Sequence, residues 1–136
     1  KSHKFEGPGL RYEVAVAIKT SHIVHVNGPF WCGDWPDLRI ARHLLHGKLP
    51  RGEFYLADVG YRGCHDPSVT RTELPANERE MFDRLMARHE TINRRFKEWD
   101  ILSQKFRHAE HLHNVVFHAV VVLTQLDIED GGLVWD

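Results

Sequence analysis

Apolar and polar residues alternate along residues 10–20 (LRYEVAVAIKT). Leu10, Tyr12, Val14, Val16 and Ile18 share one face, and Arg11, Glu13, Ala15, Ala17 and Lys19 the other, so a period of two predicts a strand. Ser21-His22 can turn the chain, and residues 22–26 read as a second strand, which gives a hairpin. Asp34 is placed to cap a helix, with Pro36 tolerated in its first turn and Asp37 at the positive end of its dipole. Leu38, Ala41, Leu44 and Leu45 form its apolar stripe, and Gly47 and Pro50 end it. Residues 53–57 predict a short strand ending at Asp58, and residues 63–76 a loop. A long helix follows, with Met81, Leu85, Ile92, Phe96 and Trp99 on its apolar side. Leu112, Val115, Val116, Ala119, Val120, Leu123 and Leu126 mark a last amphipathic helix, stopped by Gly131-Gly132.

The order strand, strand, helix, strand, helix, helix predicts an α/β domain, a sheet covered by helices. A length of 136 residues suits one domain, and 42% hydrophobic with 27% charged residues excludes a disordered composition. The longest apolar run, residues 115–123, is broken by His118 and is too short for the roughly 20 apolar residues that cross a bilayer, so no membrane association is expected. Cys32 and Cys64 make no disulfide framework. The first residue is Lys1, which fits a segment of a longer chain, and no targeting signal is readable.

Net charge is −1, but its distribution is uneven. Residues 84–108 hold seven Lys or Arg against three acids, for +4, and the rest of the chain carries −5. Such a segment is compatible with a phosphate-facing patch, although charge alone favours a solvated helix laced with ion pairs. In FYLADVGYRG, residues 54–63, the apolar run ends in Asp58 and then two glycines. Sites in open α/β sheets gather beyond the carboxyl ends of strands, and Gly60 and Gly63 would let the backbone turn away. Asp58 reads equally well as a turn former. Glu90, within RHETINRRFKEW, falls opposite the apolar stripe, on a face with Asp83, Arg94 and Lys97, where pairing with Arg94 is its simplest role.

Five stretches in order (SHKFEGPGLRYEVAVAI, NGPFWCGDWPD, ADVGYRG, RHETINRRFK and FRHAEHLHNVVFHAV) resemble the DDE superfamily endonuclease domain of transposases, of the PIF/Harbinger-like and related bacterial insertion-sequence types. The resemblance implies a ribonuclease-H-like mixed sheet flanked by helices, in which three carboxylates hold divalent metal, Mg²⁺ or Mn²⁺. It makes Asp58 the second carboxylate and Glu90 the third, and gives Arg88, Arg94, Arg95 and Lys97 to DNA phosphates. Transposon ends and target DNA are the implied partners, and a homo-oligomer is compatible with it. The compartment would be the nucleus in a eukaryote and the cytoplasm otherwise.

The family's first catalytic aspartate stands on a strand before the stretch matching SHKFEGPGLRYEV, so the chain reads as a domain lacking its first strand and first acid, and residues 1–136 are expected to be inactive as they stand. Glu6, Glu13, Asp34 and Asp37 are the acids before Glu53; Glu13 is mid-strand, and Asp34 and Asp37 have a helix-start explanation. A transposase-derived DNA-binding or interaction protein without catalysis is the alternative. Eleven histidines, with His43/His46, His108/His111/His113 and His118 near Cys32 and Cys64-His65 as candidates, raise a small zinc-binding module as a remoter one, although no paired-cysteine spacing supports it.

Overall fold

The computed structural model describes residues 9–131. It is a mixed α/β structure with small sheets and several helices. The SHKFEGP part of the first motif, Glu6 and Gly132 lie outside the described residues.

The hairpin forms as the alternation predicts, from β1 (Leu10–Val16) and β2 (Ile23–Trp31). Ser21 takes φ 60 at the turn, and amide bonds Ala17→His22 and Ser21→Ala17 close it. β1 stops earlier and β2 runs further than expected. Across β1 the buried residue is Glu13, on the face the pattern marks as polar, while its apolar neighbours are only half-buried. Glu13 is accommodated there because His25 of β2 meets its carboxylate at 3.0 Å.

The first helix begins at Asp37, with Pro36 rather than Asp34 at the cap. It runs as α1 (Asp37–Ile40), a π-helical stretch Ala41–Leu45, and α2 (His46–Lys48). The short strand is β3 (Tyr55–Leu56), and it pairs in parallel with β4 (Ser68–Val69), Tyr55 opposite Ser68 and Leu56 opposite Val69. β4 lies in the stretch read as a loop. The described strands therefore form two two-stranded ladders and not one continuous sheet.

After β4, the Glu73 carboxylate accepts from both the amide and the hydroxyl of Thr70 at 2.7 Å, ordering the turn. Those bonds hold the Glu73 carboxyl below its ordinary range. Helix α3 (Arg79–Lys97) follows, then α4 (Asp100–Ser103) and α5 (Glu110–Glu129).

Contacts group the chain into two compact units, one holding the residues through Val14 with His25–Met86, the other Ala15–Val24 with residues from Ala87 onward. In the first, Ile40, Ala41, Leu45, Ala57 and Phe82 are buried, and α1 meets the turn that follows Asp58. Phe82 takes the inward place assigned to Met81, which is 58% exposed. In the second, Ile92 and Phe96 of α3 and Phe117, Val120 and Val121 of α5 are buried, with the Phe96 and Phe117 rings edge to face at 5.6 Å. Gln125 accepts the Ile23 amide at 2.7 Å. The inward face of α5 is rotated from the predicted one: Val120 is shared, but Leu112, Val115, Leu123 and Leu126 are exposed while Phe117, Val121 and Thr124 are covered. Among the described residues no helix is long and apolar enough to cross a membrane.

Candidate functional site

Asp58 stands immediately beyond β3, as the sequence predicts, and its side chain is exposed. It caps a 3₁₀ turn, Val59–Tyr61, its Oδ1 accepting the Gly60 amide at 3.1 Å. The turn-forming role weighed for it is thus realised, and it leaves the second carboxylate oxygen unspent in that bond.

The glycines of the motif do something other than turn the chain away. Neither sits in left-handed backbone; each has a carboxylate where a side chain would be. A Cβ at Gly60 would lie 2.7 Å from Asp37 Oδ2 and 3.2 Å from Asp58 Oδ1. Both distances run from one point, so those two oxygens are no more than about 6 Å apart. A Cβ at Gly63 would lie 2.1 Å from Asp66 Oδ2. The motif is a place where backbone yields to carboxylates.

Asp37 is the residue that sequence reasoning set aside. Its position as the first residue of α1 explains its presence there, but packing of α1 on the 59–61 turn brings it to Asp58. Arg11 of β1 donates to its Oδ1 at 2.6 Å. Burial pushes the Asp37 carboxyl above its ordinary range; Arg11 pulls it down, and the Asp58 and Glu13 carboxylates push it up again. Tyr61 is also pushed up, mainly by burial and further by Glu13, Asp37 and Asp58, so its phenol stays protonated at neutral pH. Buried Glu13 has one oxygen on His25 and leaves Oε2 without a hydrogen-bond partner. The region gathers carboxylates, with Arg11 paired to Asp37 as a counter-charge.

A second polar network holds the loop after Asp58. Arg42 grips Asp66 with two bonds of 2.9 and 2.6 Å, and His46 approaches Asp66 at 3.3 Å through Nδ1. His46 Nε2 meets the Tyr55 hydroxyl at 2.8 Å. Arg42 holds the Asp66 carboxyl below its ordinary range, and burial pushes the Tyr55 phenol up to about 12. This chain of groups ties the π-helical turn, β3 and the 59–67 loop together. Nothing local in the sequence marks Asp66 for it.

Glu90 is exposed on α3 and belongs to the second unit, whereas Asp58 belongs to the first. No ion pair joins Glu90 to Arg94 among the described residues. Arg94 and Lys97 are exposed, and Arg88 is half-buried. Arg95 is engaged: it pairs with Asp127 of α5 and approaches Glu98 at 3.8 Å. It braces α3 on α5, which lowers its value as a phosphate contact.

A divalent ion fits this site only in a limited sense. Mg²⁺ binds through one or two carboxylates and keeps several waters. Two oxygens on one Mg²⁺ lie at most about 4 Å apart, and the upper bound set for Asp37 and Asp58 admits such a spacing. One hydrated ion is thereby compatible with the pair. Among the described residues no three His, Cys, Asp or Glu side chains are grouped to hold a metal. The same fact leaves the histidines without a zinc-type cluster among those residues. No family model, curated protein or solved structure matches this chain.

Proposed function

We propose that the chain is a DNA-processing domain of the DDE transposase type, ribonuclease-H-like in ancestry, whose chemistry is metal-assisted cleavage and joining of phosphodiesters. The observation that carries this reading is the exposed Asp58 carboxylate at a strand end, faced across Gly60 by Asp37. The five motifs in family order supply the rest of the support.

A bound divalent ion would supply Lewis acidity to a phosphodiester oxygen and lower the pKa of an attacking water. The residues of this chain do the positioning. Asp58 offers a carboxylate to solvent, where a duplex can reach it. Arg11 fixes Asp37 in orientation, and Asp37 and Asp58, whose carboxylates repel one another, would hold the cation. Tyr61 stays a neutral phenol able to donate a hydrogen bond beside that charge. Glu90, by resemblance, brings the further carboxylate, and Arg88, Arg94 and Lys97 bind phosphates.

A second reading, a transposase-derived DNA-binding protein without catalysis, is favoured by a specific feature. Both carboxylates already have structural occupations, Asp37 with Arg11 and Asp58 with its own turn.

The experiment is Mn²⁺ binding by calorimetry together with cleavage of supercoiled plasmid, for the wild type and for Asp58→Asn, Asp37→Asn and Glu90→Gln. The nuclease reading expects a single weak Mn²⁺ site that Asp58→Asn abolishes, with only slight nicking by residues 1–136, which lack the first acid, and that little lost in Asp58→Asn and Glu90→Gln. DNA binding without metal binding or nicking supports the second reading. Nicking that survives both substitutions overturns the carboxylate assignment.

A further inference from the structure

We infer that the segment joining α4 to α5 is a binding site for an unpaired nucleotide of a single-stranded nucleic acid. The inference rests on the reading of the chain as nucleic-acid-directed, but not on its carboxylates. α4 ends at Gln104, which takes an extended conformation, and the chain reaches the Ala109 cap of α5 without further helix. The bend encloses an open cleft of about 240 Å³. Pockets for drug-sized ligands measure roughly 300–1,000 Å³, so a space slightly smaller suits one base and its phosphate.

The lining has the chemistry for that ligand. Lys105, Arg107 and His108 flank Phe106 in sequence and line the cleft with it, together with Asp100 and Gln104 of the α4 end. Arg11, Arg42, Arg71, Arg84 and Arg95 elsewhere are in ion pairs. Among the described residues Lys105 and Arg107 are in none, and both are exposed. Unneutralised cations in a concavity favour an anionic ligand.

Phe106 argues for a base rather than a bare phosphate. Its ring is half-buried and braced edge to face by His113 at 4.8 Å and His108 at 5.4 Å. A ring held in fixed orientation beside cations is the stacking platform that single-strand binders use. Asp100 can accept from, and Gln104 can accept from and donate to, the Watson–Crick edge of a base, which duplex pairing hides. An unpaired nucleotide satisfies all of these groups at once; a duplex backbone satisfies only the cations.

The test uses fluorescein-labelled 12-mers of DNA and RNA of one sequence, single-stranded and duplex, with a 2-aminopurine probe in the single strands. Anisotropy gives affinity, and 2-aminopurine quenching reports stacking. Phe106→Leu, which keeps an apolar side chain, is expected to weaken single-strand binding about tenfold or more and remove the quenching, leaving duplex affinity unchanged. Lys105→Gln with Arg107→Gln is expected to flatten the single-strand salt slope by about 1.4. Comparing DNA with RNA identifies which of the two the cleft prefers. Asp58→Asn separates the two proposals, since it should leave single-strand binding and quenching intact while ending nicking. Quenching that persists in Phe106→Leu with a native circular dichroism spectrum overturns the inference, as does equal weakening of duplex and single strand. Binding of duplex alone by the wild type also overturns it while the DNA-processing reading stands, and binding of neither overturns both.

Discussion

Removing Glu13 should cost far more than its place on a strand of modest length suggests. Its side chain is 3% exposed and that of His25 is 5% exposed, with 3.0 Å between them. Cutting Glu13 to Ala strands a buried imidazole, and breaking a buried pair from one side costs about 3–5 kcal/mol. We expect the lower end, about 3 kcal/mol, because Oε2 is already without a hydrogen-bond partner and the pair is less than fully satisfied. With a urea m-value of about 2 kcal/mol per molar, the unfolding midpoint should fall by roughly 1.5 M. His25→Ala should cost a similar amount. The double replacement Glu13→Leu with His25→Leu removes both polar groups and fills the space, so it should recover most of the loss, since apolar substitutes for buried pairs are often neutral or better. Urea titrations followed by circular dichroism and tryptophan fluorescence measure all three. A single-variant loss below about 1 kcal/mol would refute the reasoning, as would a double variant that loses the sum of the two singles.

Gly60→Ala and Gly47→Ala form a matched pair. The first drives a methyl to 2.7 Å from Asp37 Oδ2 and should cost about 1–2 kcal/mol and weaken Mn²⁺ binding; the second meets nothing and should stabilise by about 0.5–1 kcal/mol in the same urea assay. Asp66, Glu73 and Asp83 all have carboxyls held below their ordinary values. Their contributions are present above the unfolded pKa of about 4 and are lost as pH falls through the lower folded values, so acid titration should show stability declining below about pH 4, less steeply in Asp66→Asn. Asp37, raised by burial, acts with the opposite sign and should give up stability as pH rises from about 4 through its higher folded value. Arg94→Gln with Lys97→Gln should lower duplex DNA affinity evenly across sequences and reduce the salt slope by about 2, as measured by anisotropy at several salt concentrations; an unchanged slope would mark both as solvated helix face.

The sequence by itself determined the features that depend on neighbours in the chain. Alternation specifies the β1–β2 hairpin, periodic apolar residues specify α3 and α5, and the change from Leu56 to Asp58 and Gly60 marks the end of β3. The exposure of Glu90 is likewise legible, since Ile92 and Phe96 define the inward side of its helix. Other features needed contacts distant along the chain. α5 carries apolar residues around much of its circumference, so periodicity shows a helix without selecting its inward face; packing with Phe96 chose Phe117. Met81 and Phe82 are both apolar neighbours, and only the space available decided that Phe82 turns in. β4 is two residues long and carries no strand pattern, existing because Tyr55 and Leu56 lie alongside it. Asp37 reads locally as a helix-start acid, and its approach to Asp58 follows from α1 packing on the turn at Gly60. Local propensity sets which backbone states are available, whereas the meeting of two carboxylates across a glycine depends on tertiary packing, which no short-range pattern encodes.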